Sequence, residues 1–146
     1  MMKIPPDIHE RVAGLAADIV NAGQADDRRL SWALYEELSS YCEAVAADGR
    51  DHPFLWETLA DFTADDQAAI ALYQRALPLA VAAGADEYSA SIHLALAERY
   101  SNLDAMEAAR DHALQADACA RVTDDLPLRQ AISQFLLDHS QTPSED

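Results

Sequence analysis

The strongest constraint on how this chain can fold is a pattern of bulky and small side chains that recurs at helical spacing. In alternate segments the pattern reads large–x–x–large–small–x–x–large. Its occurrences are Val12, Leu15, Ala16 and Ile19; Trp56, Leu59, Ala60 and Thr63; and His93, Leu96, Ala97 and Tyr100. Residues three and four apart share one face of an α-helix. The pattern therefore predicts helices that each present a bulky face with one small notch.

The segments between these helices carry small residues seven positions apart. These pairs are Ala33 and Ser40, Ala69 and Ala76, and Ala109 and Ala116. About two helical turns separate the members of each pair, so both lie on one face, where a small side chain lets a neighbouring backbone approach closely. We therefore expect helical hairpins in which the bulky side chains of one helix fill the notches of the next.

Local signals place seven helices along the chain and leave little support for strands. Alanine, the best helix former, is abundant, and runs of alternating Val, Ile and Thr are absent. Gly49 is expected as a left-handed helix cap, and Pro53 in a first helical turn, where its missing N–H costs nothing. Pro78 predicts either a kink one turn earlier or an early helix end. The chain is predicted to be all-α, with residues 1–140 as one helical domain and residues 141–146 as a disordered tail.

The chain carries a formal net charge of −16, from 26 acidic and 10 basic residues. Such a charge repels phosphate backbones and anionic headgroups, which disfavours nucleic acid and membranes as partners. It favours a protein partner with a basic segment. Part of the acidity has a structural explanation, because many acids fall where helices are expected to start and where carboxylates cap free N–H groups. These acids are Asp7, Asp26, Asp27, Asp65, Asp66, Asp86, Glu87, Asp104, Asp124 and Asp125.

Cysteine usage and the lack of long apolar segments bear on localisation. Cys42 and Cys119 fall within predicted helices and lack the spacing of a metal or redox motif. They are expected to be small buried hydrophobic residues in a reducing compartment. The chain shows no apolar signal-peptide segment and no run approaching the roughly 18 apolar residues of a membrane span. These features predict a soluble cytoplasmic protein.

Two segments of the sequence resemble the tetratricopeptide repeat (TPR) family. In the second of them, Ala97, Tyr100, Ala109 and Ala116 have the family's spacing. In the first, the residues that match the family in type are Trp56, Leu59, Ala60, Ala69, Tyr73 and Ala76. The interval between the two small residues Ala60 and Ala69 is about three residues shorter there than in the family.

The resemblance covers the chain from about residue 10 to about residue 120. It implies a TPR-like right-handed α-α superhelix of about three helical hairpins, closed by a polar-backed C-terminal capping helix. The residues expected to pack between repeats are Trp56, Leu59, Ala60, Ala69, Tyr73, Ala76, Leu96, Ala97, Tyr100, Ala109 and Ala116. His93 departs from the family where Trp is usual, and Thr63 where an aromatic residue is usual. A helical bundle whose alanines reflect composition alone stays open as an alternative.

The resemblance also implies which side chains face a partner, because in TPR proteins the first helix of each hairpin lines a concave groove. Those residues are Glu57, Asp61, Leu94, Glu98 and Asn102. They would form an acidic groove with an apolar floor, which suits a basic segment or helix of another protein. In the first hairpin Ala13 and Ala17 take the equivalent positions and interrupt the charged stripe. A helix face that is merely solvated is the alternative interpretation.

Motifs for catalysis or metal binding are absent from the sequence. The histidines show no HExxH spacing, the glycines build no phosphate loop and the serines have no nucleophile elbow. His93 and His112 could face each other across one hairpin, with Glu98 or Asp111 as a third metal ligand. A packed His93 in place of the family's Trp is the favoured interpretation, so no catalytic residue, metal or cofactor is predicted.

These observations favour a non-enzymatic protein–protein interaction module, a small acidic adaptor or chaperone. Its most specific form is an immunity-type protein that neutralises a basic partner. A self-associating scaffold is the first alternative, and exposure of Trp32, Tyr35 or Trp56 on an outer face would support such a homo-oligomer. A His-dependent helical enzyme is the second alternative.

Overall fold

The computed structural model describes residues 3–139, and this part of the chain consists of α-helices and connecting turns. Its helices are α1 (Pro6–Gln24), α2 (Arg28–Ala47), α3 (Pro53–Asp61), α4 (Asp66–Ala82), α5 (Asp86–Asn102), α6 (Met106–Ala120) and α7 (Leu126–Asp138). No β-strand occurs between residues 3 and 139, so the all-α prediction is confirmed. The predicted disordered tail of residues 141–146 lies outside the described residues, as does residue 140, the predicted end of the domain.

Each helix packs mainly against a helix that neighbours it along the chain, and α2 packs more against α1 than against α3. The main contacts beyond chain neighbours join α1 to α3 and α3 to α5, which brings these three helices side by side. The exposed and half-buried side chains of α3 and α5 therefore meet on one surface. Within the described part of the chain, none of the helices combines the length and the apolar character needed to cross a bilayer.

Side-chain caps explain where four of the helices start. Asp27, Asp65 and Asp125 precede α2, α4 and α7, and each carboxylate accepts the backbone N–H three residues later at 2.8–3.0 Å. At α3 the cap is His52, whose Nδ1 accepts the N–H of Phe54 at 3.0 Å. These bonds satisfy backbone donors that a helix start would otherwise leave unpaired. The capping role predicted for the acids is thus confirmed at three positions.

Four helices end on a residue in the left-handed conformation. These residues are Asp26, Gly49, Gly84 and Asp104, with φ between 56° and 81°. In each case the N–H of the next residue bonds to the carbonyl five positions earlier, at 2.9–3.1 Å, as in a Schellman motif. The prediction for Gly49 is confirmed. The N-capping prediction for Asp26 and Asp104 is wrong, because each closes the preceding helix, a position that a short polar side chain tolerates.

Pro78 lies inside α4, which continues to Ala82. The predicted early end does not occur, because Ala76 and Ala80 on either side are both buried and hold the helix in place. The alternative, a kink near Gln74, stays a prediction.

The buried side chains form two clusters that meet at α5. The first, here called the Trp56 cluster, joins α1 to α5 and contains most of the large side chains, among them Ile8, Val12, Leu15, Leu38, Leu55, Trp56, Leu59 and Ile92. The second, here called the alanine cluster, joins α5, α6 and α7. Its members are Ala90, Leu94, Ala97, Ala109, Ala113, Ala116, Ala120, Ile132 and Phe135.

The residues predicted to pack between hairpins are buried on α3 to α6, except for Tyr100, which is half-buried. The buried ones are Trp56, Leu59, Ala60, Ala69, Tyr73, Ala76, Leu96, Ala97, Ala109 and Ala116. Their burial shows that the alternation of bulky and small residues identifies the inward faces of these helices.

The equivalent prediction for α2 is wrong. Ala33 and Ser40 are exposed, and Leu38, Cys42 and Val45 are buried instead. Larger apolar side chains remove more surface from water, so the stripe that contains Leu38 determines which face of α2 packs against its neighbours.

The two cysteines are free thiols in different environments. Cys42 is buried as predicted, and burial raises the pKa of its thiol to about 12. Cys119 is half-buried, and burial again raises its pKa. Both groups are therefore protonated and weakly reactive at neutral pH.

Candidate functional site

Three carboxylates of α3 and α5 lie close enough to influence one another. Glu57 on α3 is half-buried and accepts a hydrogen bond from the hydroxyl of Ser91 on α5. Asp61, one turn further along α3, accepts a hydrogen bond from the hydroxyl of Tyr73 on α4. The charge of Asp61 in turn acts on Glu98 of α5. We call Glu57, Asp61 and Glu98 the carboxylate cluster.

Glu57 is half-buried and Asp61 and Glu98 are more exposed, yet partial burial of each carboxylate disfavours its charged form, and the charge of Asp61 adds to this effect at Glu57 and Glu98. Burial raises the pKa of Glu57 to about 7, the hydrogen bond from Ser91 opposes this change, and the charge of Asp61 adds to it. Burial also raises the pKa of Asp61 against the opposing hydrogen bond from Tyr73. The pKa of Glu98 is raised by burial, with a smaller contribution from Asp61. A cation that reached this surface would relieve both the desolvation and the repulsion.

The nearby arginine is largely engaged elsewhere. Arg99 lowers the pKa of Asp61 and Glu98, but its guanidinium donates to Asp66 Oδ1 at 3.1 Å and to the carbonyl of Ala60 at 3.2 Å. Those bonds tie α5 to the end of α3 and the start of α4. The carboxylate cluster therefore keeps an excess of negative charge that no ion pair within residues 3–139 cancels.

The residues predicted to face a partner fall into different environments. Glu57, Asp61 and Glu98 are brought together as expected. Leu94 was expected to be exposed, and this is wrong: the side chain is buried in the alanine cluster, because the side of α5 that bears it packs against α6 and α7. Asn102 is exposed at the end of α5 and donates to Asp66 Oδ1 at 3.1 Å, which places it at the edge of this surface.

His93 and His112 face each other across the α5–α6 hairpin, which confirms that prediction. Their Nδ1 atoms are 2.9 Å apart, and the ring of Tyr100 stacks on His112 with centroids 5.4 Å apart. Burial, and then the neighbouring imidazole, lowers the pKa of His93 to about 4. Burial also lowers the pKa of His112. The pair is thus a packed, neutral contact at physiological pH.

A metal site at this histidine pair would require further ligands. No group of three or more His, Cys, Asp or Glu side chains suited to hold a metal occurs among residues 3–139. Neither Glu98 nor Asp111, the predicted third ligands, completes such a group there.

A second surface was only partly foreseen from the sequence. Trp32 on α2 is 64% exposed and stacks on Tyr35 with ring centroids 5.8 Å apart, beside a groove of about 620 Å³. Apart from these two rings, the groove is lined by Ile19, Gly23, Asp26, Asp27, Arg28, Ser31, Phe62, Thr63, Ala64, Asp65 and Ala68. We call it the Trp32 groove. It lies where the ends of α1 and α3 meet the starts of α2 and α4.

The two tryptophans have opposite environments. Trp56 is fully buried, donates from Nε1 to Asp51 Oδ1 at 2.6 Å and packs beneath the guanidinium of Arg75. Three rings were named as candidates for an exposed outer face. Trp32 is exposed, Tyr35 is half-buried, and Trp56 is buried and cannot contact a partner there. A signal for this difference exists in the sequence, because Trp32 lies off the helical stripe that contains Leu38.

Comparison of the chain with protein-family profiles, with curated proteins and with solved structures finds no match.

Proposed function

We propose that this protein is a non-enzymatic interaction module that binds a basic segment of another protein at the carboxylate cluster. The observation that carries the proposal is the half-buried Glu57, whose raised pKa reflects a carboxylate held in a desolvated site beside a second one. An arginine or lysine of a partner would replace the missing solvation and gain a charge-assisted hydrogen bond. The net charge of −16 would speed the approach of such a partner.

We further propose that α1 to α6 form a TPR-like right-handed superhelix with α7 as its cap. The contacts of α1 with α3 and of α3 with α5 support this proposal, because such repeats stack their first helices side by side. The burial of the small residues Ala69, Ala76 and Ala109 supports it as well. In this arrangement the carboxylate cluster lies on the inner wall.

The most specific form of the proposal is an immunity-type role, in which the bound partner is a basic protein that this chain neutralises in the cytoplasm. The strong charge asymmetry supports it, since complementary charge raises the rate of association. The packed, neutral His93–His112 pair gives no comparable support to a His-dependent enzyme.

Capture of partners from cell lysate by the immobilised protein tests the proposal. The wild type is compared with Glu57→Gln/Glu98→Gln and with the control Glu36→Gln/Glu107→Gln, which also replaces two glutamates, at exposed positions outside the cluster. We expect the wild type and the control to retain the same basic proteins at low salt, and the cluster variant to lose them. High salt should release them, because it screens the attraction between charges.

Equal retention by both double variants would contradict the carboxylate cluster as the binding site. Retention that does not change between low and high salt would contradict recognition by charge.

A further inference from the structure

The Trp32 groove exposes an apolar floor that nothing in the described part of the chain covers. Its floor is formed by the rings of Trp32, Tyr35 and Phe62 together with Ile19. Exposed aromatic residues that line a groove are typical of binding surfaces, because their burial contributes most of the energy of many interfaces. The chemistry of the groove's rim shows which kind of molecule can cover this floor.

The rim of the groove carries both signs of charge. Arg28 lines the groove, and it shares the first turn of α2 with Arg29, where the helix dipole disfavours a positive charge. Neither forms an ion pair within residues 3–139. Among the acids of the rim, Asp27 and Asp65 cap helices, whereas the carboxylate of Asp26 accepts no hydrogen bond from residues 3–139. The rim thus carries Arg28 and Asp26, and neither side chain has an ionic partner among residues 3–139.

Arg28 and Arg29 lack the carboxylate partner that five of the nine arginines have among residues 3–139. The arginines that pair with a carboxylate are Arg11, Arg50, Arg75, Arg99 and Arg121. A purely basic partner would leave Arg28 without a carboxylate, a purely acidic one would leave Asp26 without a cation, and nucleic acid would be repelled by the net charge of −16. A partner that fits the rim must therefore present both a carboxylate and an arginine beside an apolar side chain.

The surface around Trp32 meets those requirements itself. In an interface with twofold symmetry, each patch faces an identical copy, so residue i contacts residue j and j contacts i. With the axis placed beside the start of α2, Arg28 of one copy would face Asp26 of the other, twice. This arrangement also buries the two exposed indoles against the two apolar floors.

We propose that the Trp32 groove is the interface of a homodimer, with Trp32 as its anchor and reciprocal Arg28–Asp26 ion pairs at its rim. This inference is independent of the proposed binding at the carboxylate cluster, which lies on α3 and α5. Glu57→Gln/Glu98→Gln should leave the dimer intact, so failure of one proposal is distinguishable from failure of the other.

Sedimentation equilibrium of the full chain over a wide concentration range tests the anchor. We expect the wild type to dimerise, and Trp32→Ala to raise the dimer dissociation constant by about tenfold or more, as removal of an interface tryptophan commonly does. The control Leu114→Ala removes a side chain that is 53% exposed on α6 and should leave the constant unchanged. A wild type that stays monomeric at its highest attainable concentration overturns the proposal, and so does an equal effect of both variants.

A charge exchange between copies tests the twofold geometry. Arg28→Asp alone and Asp26→Arg alone each place like charges across the interface and should weaken the homodimer. An equimolar mixture of the two variants places Arg opposite Asp at both contacts and should restore association as a heterodimer, measured with a mass tag on one variant. Circular dichroism checks that each variant is folded. Failure of the mixture to restore association overturns the reciprocal pairing and assigns the groove to a different occupant.

Discussion

The Trp56 cluster and the alanine cluster hold their helices together in different ways. In the Trp56 cluster, large side chains such as Ile8, Leu38 and Trp56 fill the space among the five helices α1 to α5. In the alanine cluster, Ala109, Ala113 and other alanines allow α5 and α6 to approach closely, and Ile132 and Phe135 of α7 complete the packing. The first cluster gains its stability from the area that each large side chain buries, and the second from the closeness of two backbones.

This difference predicts opposite sensitivities to substitution. The Trp56 cluster should suffer most when a side chain is made smaller, because a cavity remains. The alanine cluster should suffer most when a side chain is made larger, because closely packed backbones must separate. The following predictions test the comparison from the largest expected effect to the smallest.

Trp56→Ala is expected to lower the free energy of unfolding by about 3–5 kcal/mol, because it leaves a cavity at a fully buried position. It also leaves Asp51 without the indole N–H and Arg75 without the ring beneath it. Chemical denaturation followed by circular dichroism measures the change. A loss below about 1 kcal/mol, typical of surface substitutions, would show that Trp56 does not support the cluster.

Ala109→Leu is expected to lower the free energy of unfolding by about 1–3 kcal/mol, because the added methyl groups have no space between α5 and α6. The matched control is Ala33→Leu, at the exposed position of α2 that shares the seven-residue pattern; its effect should stay within about 0.5 kcal/mol. The same denaturation experiment serves both variants. Equal effects at the two positions would contradict the distinction between a packed and an unpacked alanine pair.

Glu57→Gln tests the junction of the two clusters, where α3 meets α5. The pKa of Glu57 is raised from 4.5 to about 7, so between these values the native protein binds more protons there than the unfolded chain does. This group's contribution to the free energy of unfolding therefore falls as pH rises through that window. At pH 8 the variant should be more stable than the wild type by on the order of 1–3 kcal/mol, with the difference vanishing near pH 4.

Denaturation of both proteins across this pH range measures the difference. Subtraction of the wild-type curve removes the contribution of His93, whose lowered pKa acts in the opposite direction below about its ordinary value of 6.5. A difference between variant and wild type that does not depend on pH would contradict the raised pKa of Glu57.

Arg75→Met tests the outer edge of the Trp56 cluster. Arg75 lies 3.5 Å from the centroid of the Trp56 ring and pairs with Glu43 at 3.0 Å, but both members of that pair are largely exposed. The free energy of unfolding should fall by about 0.5–1 kcal/mol, because exposed ion pairs and cation–π contacts contribute little each. Denaturation at low and high salt would then separate the two contacts, since salt screens the ion pair more strongly. A loss of unfolding free energy as large as that expected for Trp56→Ala would contradict the view that Arg75 lies at the edge of the cluster and contributes little.

Much of the secondary structure follows from local signals. Gly49 ends α2 in a left-handed conformation and Asp27 caps its start, as the sequence predicts, because these hydrogen bonds join residues only a few positions apart. At Pro78 the local signal left a kink and an early end open; the early end does not occur, and α4 continues past the proline between the buried Ala76 and Ala80. Helix ends predicted from neighbouring residues are thus reliable where tertiary packing does not oppose them.

The candidate site was predictable in part. Glu57, Asp61 and Glu98 were named from the sequence, and their proximity is a consequence of α3 packing against α5. Leu94 was misplaced, because a spacing shows that two residues share a face but not what covers that face. The aromatic floor of the Trp32 groove was foreseen only for Trp32 and Tyr35, since Phe62 joins it from another hairpin.

The sequence by itself determined that this chain forms helices, where most of them begin and end, and which small and bulky residues of α3 to α6 point inward. These properties depend on backbone hydrogen bonds and on helical periodicity, which act over a few residues. Only the tertiary structure decided that α2 buries Leu38 rather than Ala33, that Trp56 is buried while Trp32 is exposed, and that burial perturbs the carboxylates of α3 and α5. Those outcomes depend on which surfaces meet across long stretches of chain, where the burial of large apolar area outweighs the local pattern.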